Sequence, residues 1–365
     1  MTPLFCVHLA RDVFFLGRCR QFFVSGVLVS LLFILSFPCT VSCSEAAPLA
    51  ADLVNDGQPI DVSNTQYRDL FRELQEQYNF TQPELQLLFA NLRIDRKVLQ
   101  LMDRQGEAKP YYQYRSLFIT PLAIATGKRH LVTYQLLFDR IESEFQVDRE
   151  IIVAIWAIES RFGANQGGFN LFQTLNTLFA AYPRRSPFYR MELINFLTLC
   201  RDNDLDPLSI RGSYAGAFGQ AQFMPSSFNK YAVDFDGDAH PDLIHSLPDI
   251  FASIANYLRK FGWTIRTPLY AELGRELRSE ILTQAYNDGR KGRVDWRQLM
   301  TLQNITLPRP PKDGLLSIIG VEQEPQEGGG MRFLAGYPNI QAINEYNRSN
   351  KYAMAVAEMA EAFKN

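Results

Sequence analysis

From Thr65 onward the apolar residues recur three and four positions apart. Leu70, Phe71, Leu74 and Tyr78 open this pattern, which predicts helical structure to about Gln105. Thr81-Gln82-Pro83-Glu84 is a capping-box sequence and starts a second helix there. Leu131, Tyr134, Leu137, Phe138 and Ile141 predict an amphipathic helix over 131–145. Asp148 then stands as the N-cap of an almost wholly apolar helix from Arg149 to about Arg161. Further helices are predicted at 188–202, 248–261 and 353–363. After Gly262 the pattern changes, with Pro268, Pro308, Pro310 and Pro311 breaking the chain. Leu315–Glu322 and Met331–Tyr337 read as two strands around the hairpin loop Pro325-Gln326-Glu327-Gly328-Gly329-Gly330. The chain is therefore expected to be mainly α, with a small β-containing insertion late on, and it shows no internal repeat.

The first 43 residues stand apart. Arg11, Arg18 and Arg20 precede an uncharged apolar run from Phe22 to Phe37, close to a signal-peptide core and short of the roughly 20 residues of a membrane span. A cleaved leader and an uncleaved anchor both fit, and either exports the rest. Cys6, Cys19, Cys39 and Cys43 all fall in this stretch, which leaves Cys200 alone in the remainder and allows no disulfide there. Cys43 sits where a bacterial lipoprotein cysteine would, although Thr40 stands where an aliphatic residue is usual, so an outer-membrane lipoprotein and a soluble periplasmic form are both open. Residues 44–60, small and polar, read as a tether. The formal charge of −2 becomes −4 once Arg11, Arg18, Arg20 and Asp12 (net +2) are removed. That balance argues against a dedicated nucleic-acid binder.

Glu159 is the most informative residue. It ends the run Ile151-Ile152-Val153-Ala154-Ile155-Trp156-Ala157-Ile158, and on a helix its neighbours are Ile155, Trp156 and Phe162. Apolar surroundings disfavour the ionised carboxyl and raise its pKa, as a general acid requires. The alternative is a helix-end glutamate that reaches water. The second informative stretch is Gly212-Ser213-Tyr214-Ala215-Gly216-Ala217-Phe218-Gly219-Gln220-Ala221-Gln222-Phe223-Met224-Pro225-Ser226-Ser227. Its glycines let backbone approach a ligand closely, while Gln222 and Tyr214 offer hydrogen bonds and a stacking face. Taken alone, such a stretch also describes a tightly packed connection.

Together with Tyr182-Pro183-Arg184-Arg185, Tyr231-Ala232-Val233-Asp234, Ala255-Asn256-Tyr257 and Tyr346-Asn347-Arg348-Ser349, these segments resemble the lytic murein transglycosylases of the membrane-bound type B family, in that family's order and over about residues 60–363. The resemblance implies a lysozyme-like α core over 146–265, an N-terminal helical region over 61–145, a small β-containing domain over 266–337 and a C-terminal helix over 338–365 that completes the core. It implies cleavage of the β-1,4 bond between N-acetylmuramic acid and N-acetylglucosamine in peptidoglycan, with a 1,6-anhydromuramoyl end and Glu159 as the single acid/base. Ser213, Gln222, Tyr257, Tyr346, Asn347 and Tyr352 would line sugar subsites, and Arg184 and Arg185 would meet acidic peptide stems. Other cell-wall enzymes are the expected partners.

Asp234-Phe235-Asp236-Gly237-Asp238-Ala239-His240 begins like an EF-hand loop, with carboxylates whose mutual repulsion a hard cation would relieve. Position six is Ala239 rather than glycine, and position twelve is His245 rather than glutamate. In the related transglycosylases the loop is longer, which makes Asp249 the closing ligand beside Asp234, Asp236, Asp238 and the His240 carbonyl. A structural Ca²⁺ is expected; a solvated acidic turn is the alternative. Two other functions stay open: a hydrolytic muramidase of the same fold, and a non-catalytic peptidoglycan-binding protein.

Overall fold

The computed structural model describes residues 49–104, 109–311 and 314–365. The expected leader, and Cys43 with it, lies outside the described residues. The tether expectation needs correction. Ala50–Leu53 form a 3-10 turn with Ala51 buried, and the Gly57 and Ile60 amides donate to the Ile94 and Leu92 carbonyls. Apolar contact and backbone pairing thus fix residues 49–60 against the helices that follow.

The N-terminal part contains α1 (Thr65–Tyr78), α2 (Gln82–Phe89), α3 (Arg96–Asp103), α4 (Tyr111–Arg115), α5 (Pro121–Thr133) and α6 (Gln135–Phe145). The predicted capping box at Thr81 and Glu84 is present in full. The helix predicted over 131–145 is divided at Tyr134, whose φ of −106° and ψ of 25° interrupt it between α5 and α6.

At the centre lies α7 (Arg149–Ser160), with every residue from Ile151 to Ile158 buried. An all-round apolar helix needs neighbours on every side. They come from α5, α6, α11 (Leu247–Lys260) and the last helix, α15 (Asn350–Lys364). Around this centre run β1 (Phe169–Asn170), α8 (Leu171–Ala181), α9 (Ser186–Asp202), β2 (Arg211–Gly212) and α10 (Pro225–Tyr231), with β1 and β2 paired antiparallel.

Asp148 occupies the N-cap position of α7, but its side chain does not cap the helix. Buried at 7% exposure, its carboxylate accepts from Trp263 Nε1 at 2.9 Å and from the Arg266 amide at 3.0 Å. The chain leaves the core here. Beyond it come β3 (Tyr270–Gly274), α12 (Glu280–Asn287), β4 (Val294–Asp295), α13 (Trp296–Gln303), β5 (Leu315–Glu322) and β6 (Met331–Gly336). The two predicted strands are joined by two that periodicity did not mark, in an antiparallel sheet of order β3-β6-β5-β4. Leu282, Leu299, Leu316 and Ile318 give this sheet an apolar cluster of its own. The chain then returns through α14 (Pro338–Tyr346) to α15, and Asn339 ties the start of α14 to the exit by bonding both polar groups of the Thr264 backbone.

Asp148→Ala would leave the buried Trp263 indole N–H and the Arg266 amide without their acceptor. The expected loss is about 2 kcal/mol of unfolding free energy, read by urea titration, with Asp148→Asn recovering part of it.

Candidate active site

Glu159 sits in the last turn of α7, half-buried. The helix stops just beyond it, where Arg161, Phe162 and Gly163 take φ of 52°, 58° and 84° in succession. Three left-handed residues in a row are costly for side chains, so other contacts must hold them. The Ser160 hydroxyl supplies one, donating to the Trp156 carbonyl and accepting from the Gly163 amide. Gln220 of the glycine-rich turn supplies another: its Oε1 accepts from Trp156 Nε1 at 2.8 Å and its Nε2 donates to the Ile244 carbonyl. A Cβ on Gly163 would lie 2.4 Å from that Oε1, so glycine is needed there for space as well as for φ.

The turn is internally rigid. Phe218 and Phe223 exchange both backbone hydrogen bonds, and the Ser213 hydroxyl accepts from the Ala217 amide at 3.1 Å. Gln222, at φ 48°, donates through Nε2 to the Gly219 and Gln166 carbonyls. From the other side, Tyr346 donates to the Ala221 carbonyl at 2.6 Å and Tyr352 donates to Glu159 Oε1 at 2.6 Å. Two tyrosines near the C-terminus therefore fix the turn and the carboxyl together.

Burial pushes the Glu159 pKa up to about 7, and the Tyr352 hydroxyl pulls the other way by stabilising the carboxylate. Among the described residues no second carboxylate contributes to that value. Burial, and then the Glu159 charge, raise Tyr346 and Tyr352 well above the usual phenol range, so both stay protonated donors.

Most of the expected residues converge here, though not all in the expected roles. Tyr352 is 2% exposed and holds the carboxyl instead of offering a face to a sugar. Tyr257 is buried among Phe223, Tyr231, Phe261 and Tyr346 and donates to the Glu345 carbonyl, so it braces Tyr346 from behind. Asn347 is exposed just past α14. Arg184 is exposed, while the Arg185 guanidinium lies 4.4 Å from the Phe188 ring centroid, near Tyr189. Sequence reasoning missed Gln220, Ser160 and Tyr114. Tyr114, a half-buried residue of α4, lies near enough to Tyr352 to affect its titration. The partners of Gln220 and Tyr114 are distant in sequence, whereas those of Ser160 lie within one turn of it.

In the acidic loop, oxygens of Asp234, Asp236 and Asp249 lie within 4.8 Å of one another; the Asp238 carboxylate is not in this group. Asp238 accepts from the His240 amide instead. Asp249 is fully buried in the first turn of α11 and accepts from the Phe235 and Asp242 amides. Burial, opposed by those hydrogen bonds, raises its pKa, and the nearby Asp236 adds to the rise. Ala239, at the position where an EF-hand has glycine, has φ 86°, so the loop keeps the left-handed backbone without the usual residue.

The model of the transglycosylase SLT domain matches residues 63–361. The chain belongs to this family. Membrane-bound lytic murein transglycosylase B of Escherichia coli is 32% identical over 317 residues, covering 82% of this chain and 83% of that protein. The structure of the lytic transglycosylase Slt35 of Escherichia coli in complex with calcium is 31% identical, with a TM-score of 0.72 over 84% of this chain and 96% of its own. SltB3 of Pseudomonas aeruginosa in complex with NAG-anhNAM-pentapeptide is 29% identical, with a TM-score of 0.69 over 82% of this chain and 79% of its own. As in this lytic transglycosylase family generally, the chain is an enzyme of mainly α, lysozyme-like fold.

Tyr352→Phe removes a hydrogen bond made to the ionised form of Glu159. The Glu159 pKa should therefore rise above about 7. Carboxyl-carbon NMR of the free protein would read this as a titration moved to higher pH, with no gross change of fold.

Proposed function

We propose that this enzyme cleaves the β-1,4 bond between N-acetylmuramic acid and N-acetylglucosamine in peptidoglycan, with Glu159 as its only acid/base. The observation that carries the reading is a half-buried carboxyl, protonated up to about neutral pH, beside a rigid glycine-rich turn and without a carboxylate partner among the described residues. A hydrolytic glycosidase uses two carboxylates. With one, the proton inventory closes as follows. Glu159 donates its proton to the glycosidic oxygen, the C1–O bond breaks, and the N-acetylglucosamine side leaves with its 4-hydroxyl. The muramoyl 6-oxygen bonds to C1, and its proton passes to the Glu159 carboxylate. The 1,6-anhydro end forms, no water is consumed, and the acid is restored.

Ser213, Gln222 (through its Oε1), Tyr346 and Asn347 are assigned to the sugar subsites, and Arg184 and Arg185 to the acidic peptide stems. The chemistry fits, since amides bind N-acetyl groups and guanidinium forks grip carboxylates. The binding of NAG-anhNAM-pentapeptide by SltB3 supports a glycan ligand. We assign Asp234, Asp236 and Asp249 to a structural Ca²⁺, as the calcium complex of Slt35 supports. All the donors are oxygens, as that hard cation requires, and it would neutralise the charge that Asp236 imposes on Asp249. Asp238 and the His240 carbonyl are the further ligands of the proposed set. An exported, periplasmic location follows from the substrate, with the leader or a lipid on Cys43 as the membrane link; the E. coli relative is itself named membrane-bound.

Glu159→Gln should lower the rate of peptidoglycan digestion at least a thousandfold, in the upper range of general-acid contributions, while strand binding survives. Wild-type product should carry the anhydro end, one water lighter than a hydrolysed end by mass spectrometry. A hydrolysed product would instead favour the muramidase reading. Because the first step needs protonated Glu159, kcat/KM should fall as pH rises through about 7.

Chelation should lower the melting temperature and added calcium restore it, by preferential binding to the folded state. Asp236→Asn should abolish that calcium response in calorimetry. An identical melting curve with and without calcium would remove the ion from this loop.

A further inference from the structure

The glycine-rich turn is continued by a neighbouring segment. The segment preceding α8 is tied to it: Gln166 accepts from Gln222, and Phe169 and Asn170 pair with Gly212 and Arg211, immediately before Ser213. The approach at Gly167 is so close that a Cβ there would lie 2.1 Å from the Gly212 carbonyl carbon. Phe169 is therefore a rigid extension of the turn. Its half-buried ring stands edge-on to Tyr214, with centroids 6.5 Å apart.

Above Phe169 lies a cation from another part of the chain. Lys97 Nζ is 5.6 Å from the ring centroid. Lys97 is exposed at the start of α3, whose N-cap Asp95 is anchored to α8 by a hydrogen bond from its amide to Thr177. The nearby carboxylates are engaged elsewhere. Asp95 accepts from the Lys97 and Val98 amides, Asp56 from the Arg96 amide, and Asp52 pairs with Arg96. Among the described residues no carboxylate lies within ion-pair distance of the Lys97 ammonium. Lys97 lines a cavity of about 660 Å³ together with Gln100 and Gln173, where Arg93 and Arg96 stand against the carboxylates of Asp56 and Asp95. A placed cation over an aromatic ledge, beside an open polar cavity, suits an extended anion whose apolar part lies on the ring.

We infer that Lys97, Phe169 and Tyr214 form a second recognition site, which binds a carboxylate of a peptide stem one or more sugars away from the cleaved bond. The inference rests on the glycan-cleaving function proposed above. Lys97 supplies the counter-charge, Phe169 and Tyr214 the surface for the stem's aliphatic atoms, and Gln100 and Gln173 the amides that meet its peptide groups. The site reads peptide substitution of the strand, which the sugar subsites at Glu159 do not.

The test compares two purified glycans of equal length, one carrying its peptide stems and one stripped of them. For each enzyme the ratio of kcat/KM on stem-bearing to stripped strands is measured. Lys97→Glu should lower that ratio about fivefold, as expected for reversing one partly exposed ion pair, and mainly through KM. Lys97→Arg should restore it. The reversal adds an acid to the first turn of a helix, where the macrodipole favours it, and circular dichroism would verify that the fold is kept. A ratio unchanged by Lys97→Glu, or both substrates weakened alike, overturns the site. If wild-type enzyme cleaves neither strand, the proposed function fails as well, so the two failures are told apart.

Discussion

A carboxyl group at the C-terminal end of an apolar helix is the constraint around which this structure is arranged. Two effects act on Glu159 in the same direction. Burial removes water from the charged form. Glu159 also lies in the last turn of α7, at the negative end of the helix dipole, which likewise disfavours an anion. Left unopposed, these would hold the acid too tightly for it to give up its proton. The Tyr352 hydroxyl opposes them, and it comes from a residue 193 positions later. The catalytic core is thus incomplete until α15 has packed on α7, and the sheet between them must be accommodated without moving either. The Asp148–Trp263–Arg266 cluster and the Asn339–Thr264 pair meet that need by fixing the exit and return of the chain.

The legible part of this design was the part with short-range signals. The apolar run of α7, the box at Thr81 and the strands around the Gly328–Gly330 loop each follow from residues within one or two turns, and the structure has all three. Glu159 was legible for the same reason, because its apolar flanks are its sequence neighbours. The roles of Tyr352, Tyr257 and Gln220 were not. Whether a tyrosine offers its ring face or spends its hydroxyl depends on what lies opposite, and in each case that is set by packing over many residues. Asp148 shows the same limit. An aspartate before an apolar helix reads as a cap, but tertiary donors from Trp263 and Arg266 compete for its carboxylate, and here they win. β3 and β4 were missed because strands of five and two residues in a proline-rich stretch leave little alternation to detect.

The acidic loop contributes to the same arrangement from a distance. It joins α10, which follows the glycine-rich turn directly, to α11, which packs on α7. Gln220 meets this loop segment at two points, through the Leu243 and Ile244 carbonyls. The contact that seats Gln220 under Trp156 therefore depends on the path of the chain after Asp242. Asp242 itself turns that path by accepting from the Ile244 and His245 amides. A cation among Asp234, Asp236 and Asp249 would stiffen the loop and leave the chemistry at Glu159 alone.

A second glutamate with a raised pKa, Glu192, differs from Glu159 in what its oxygens could do in the proposed proton transfer. Glu192 is 1% exposed, and burial raises its pKa as it does that of Glu159. Yet its two oxygens accept from the Ser226 amide and hydroxyl, at 2.9 and 2.6 Å. Ser226 lies in the first turn of α10, whose N-cap residue, Met224, has no side-chain acceptor to offer. Glu192 thus supplies from α9 the cap that the local sequence lacks, and both oxygens are committed to it. Releasing a proton from such a group, or accepting one, would disturb the helix that anchors the end of the glycine-rich turn. Among the described residues the Glu159 carboxyl has one hydrogen bond, at Oε1, and the residue is half-buried. A raised pKa is common to the two residues; among the described residues an oxygen left without a hydrogen bond belongs to Glu159, and the proposed proton transfer needs both.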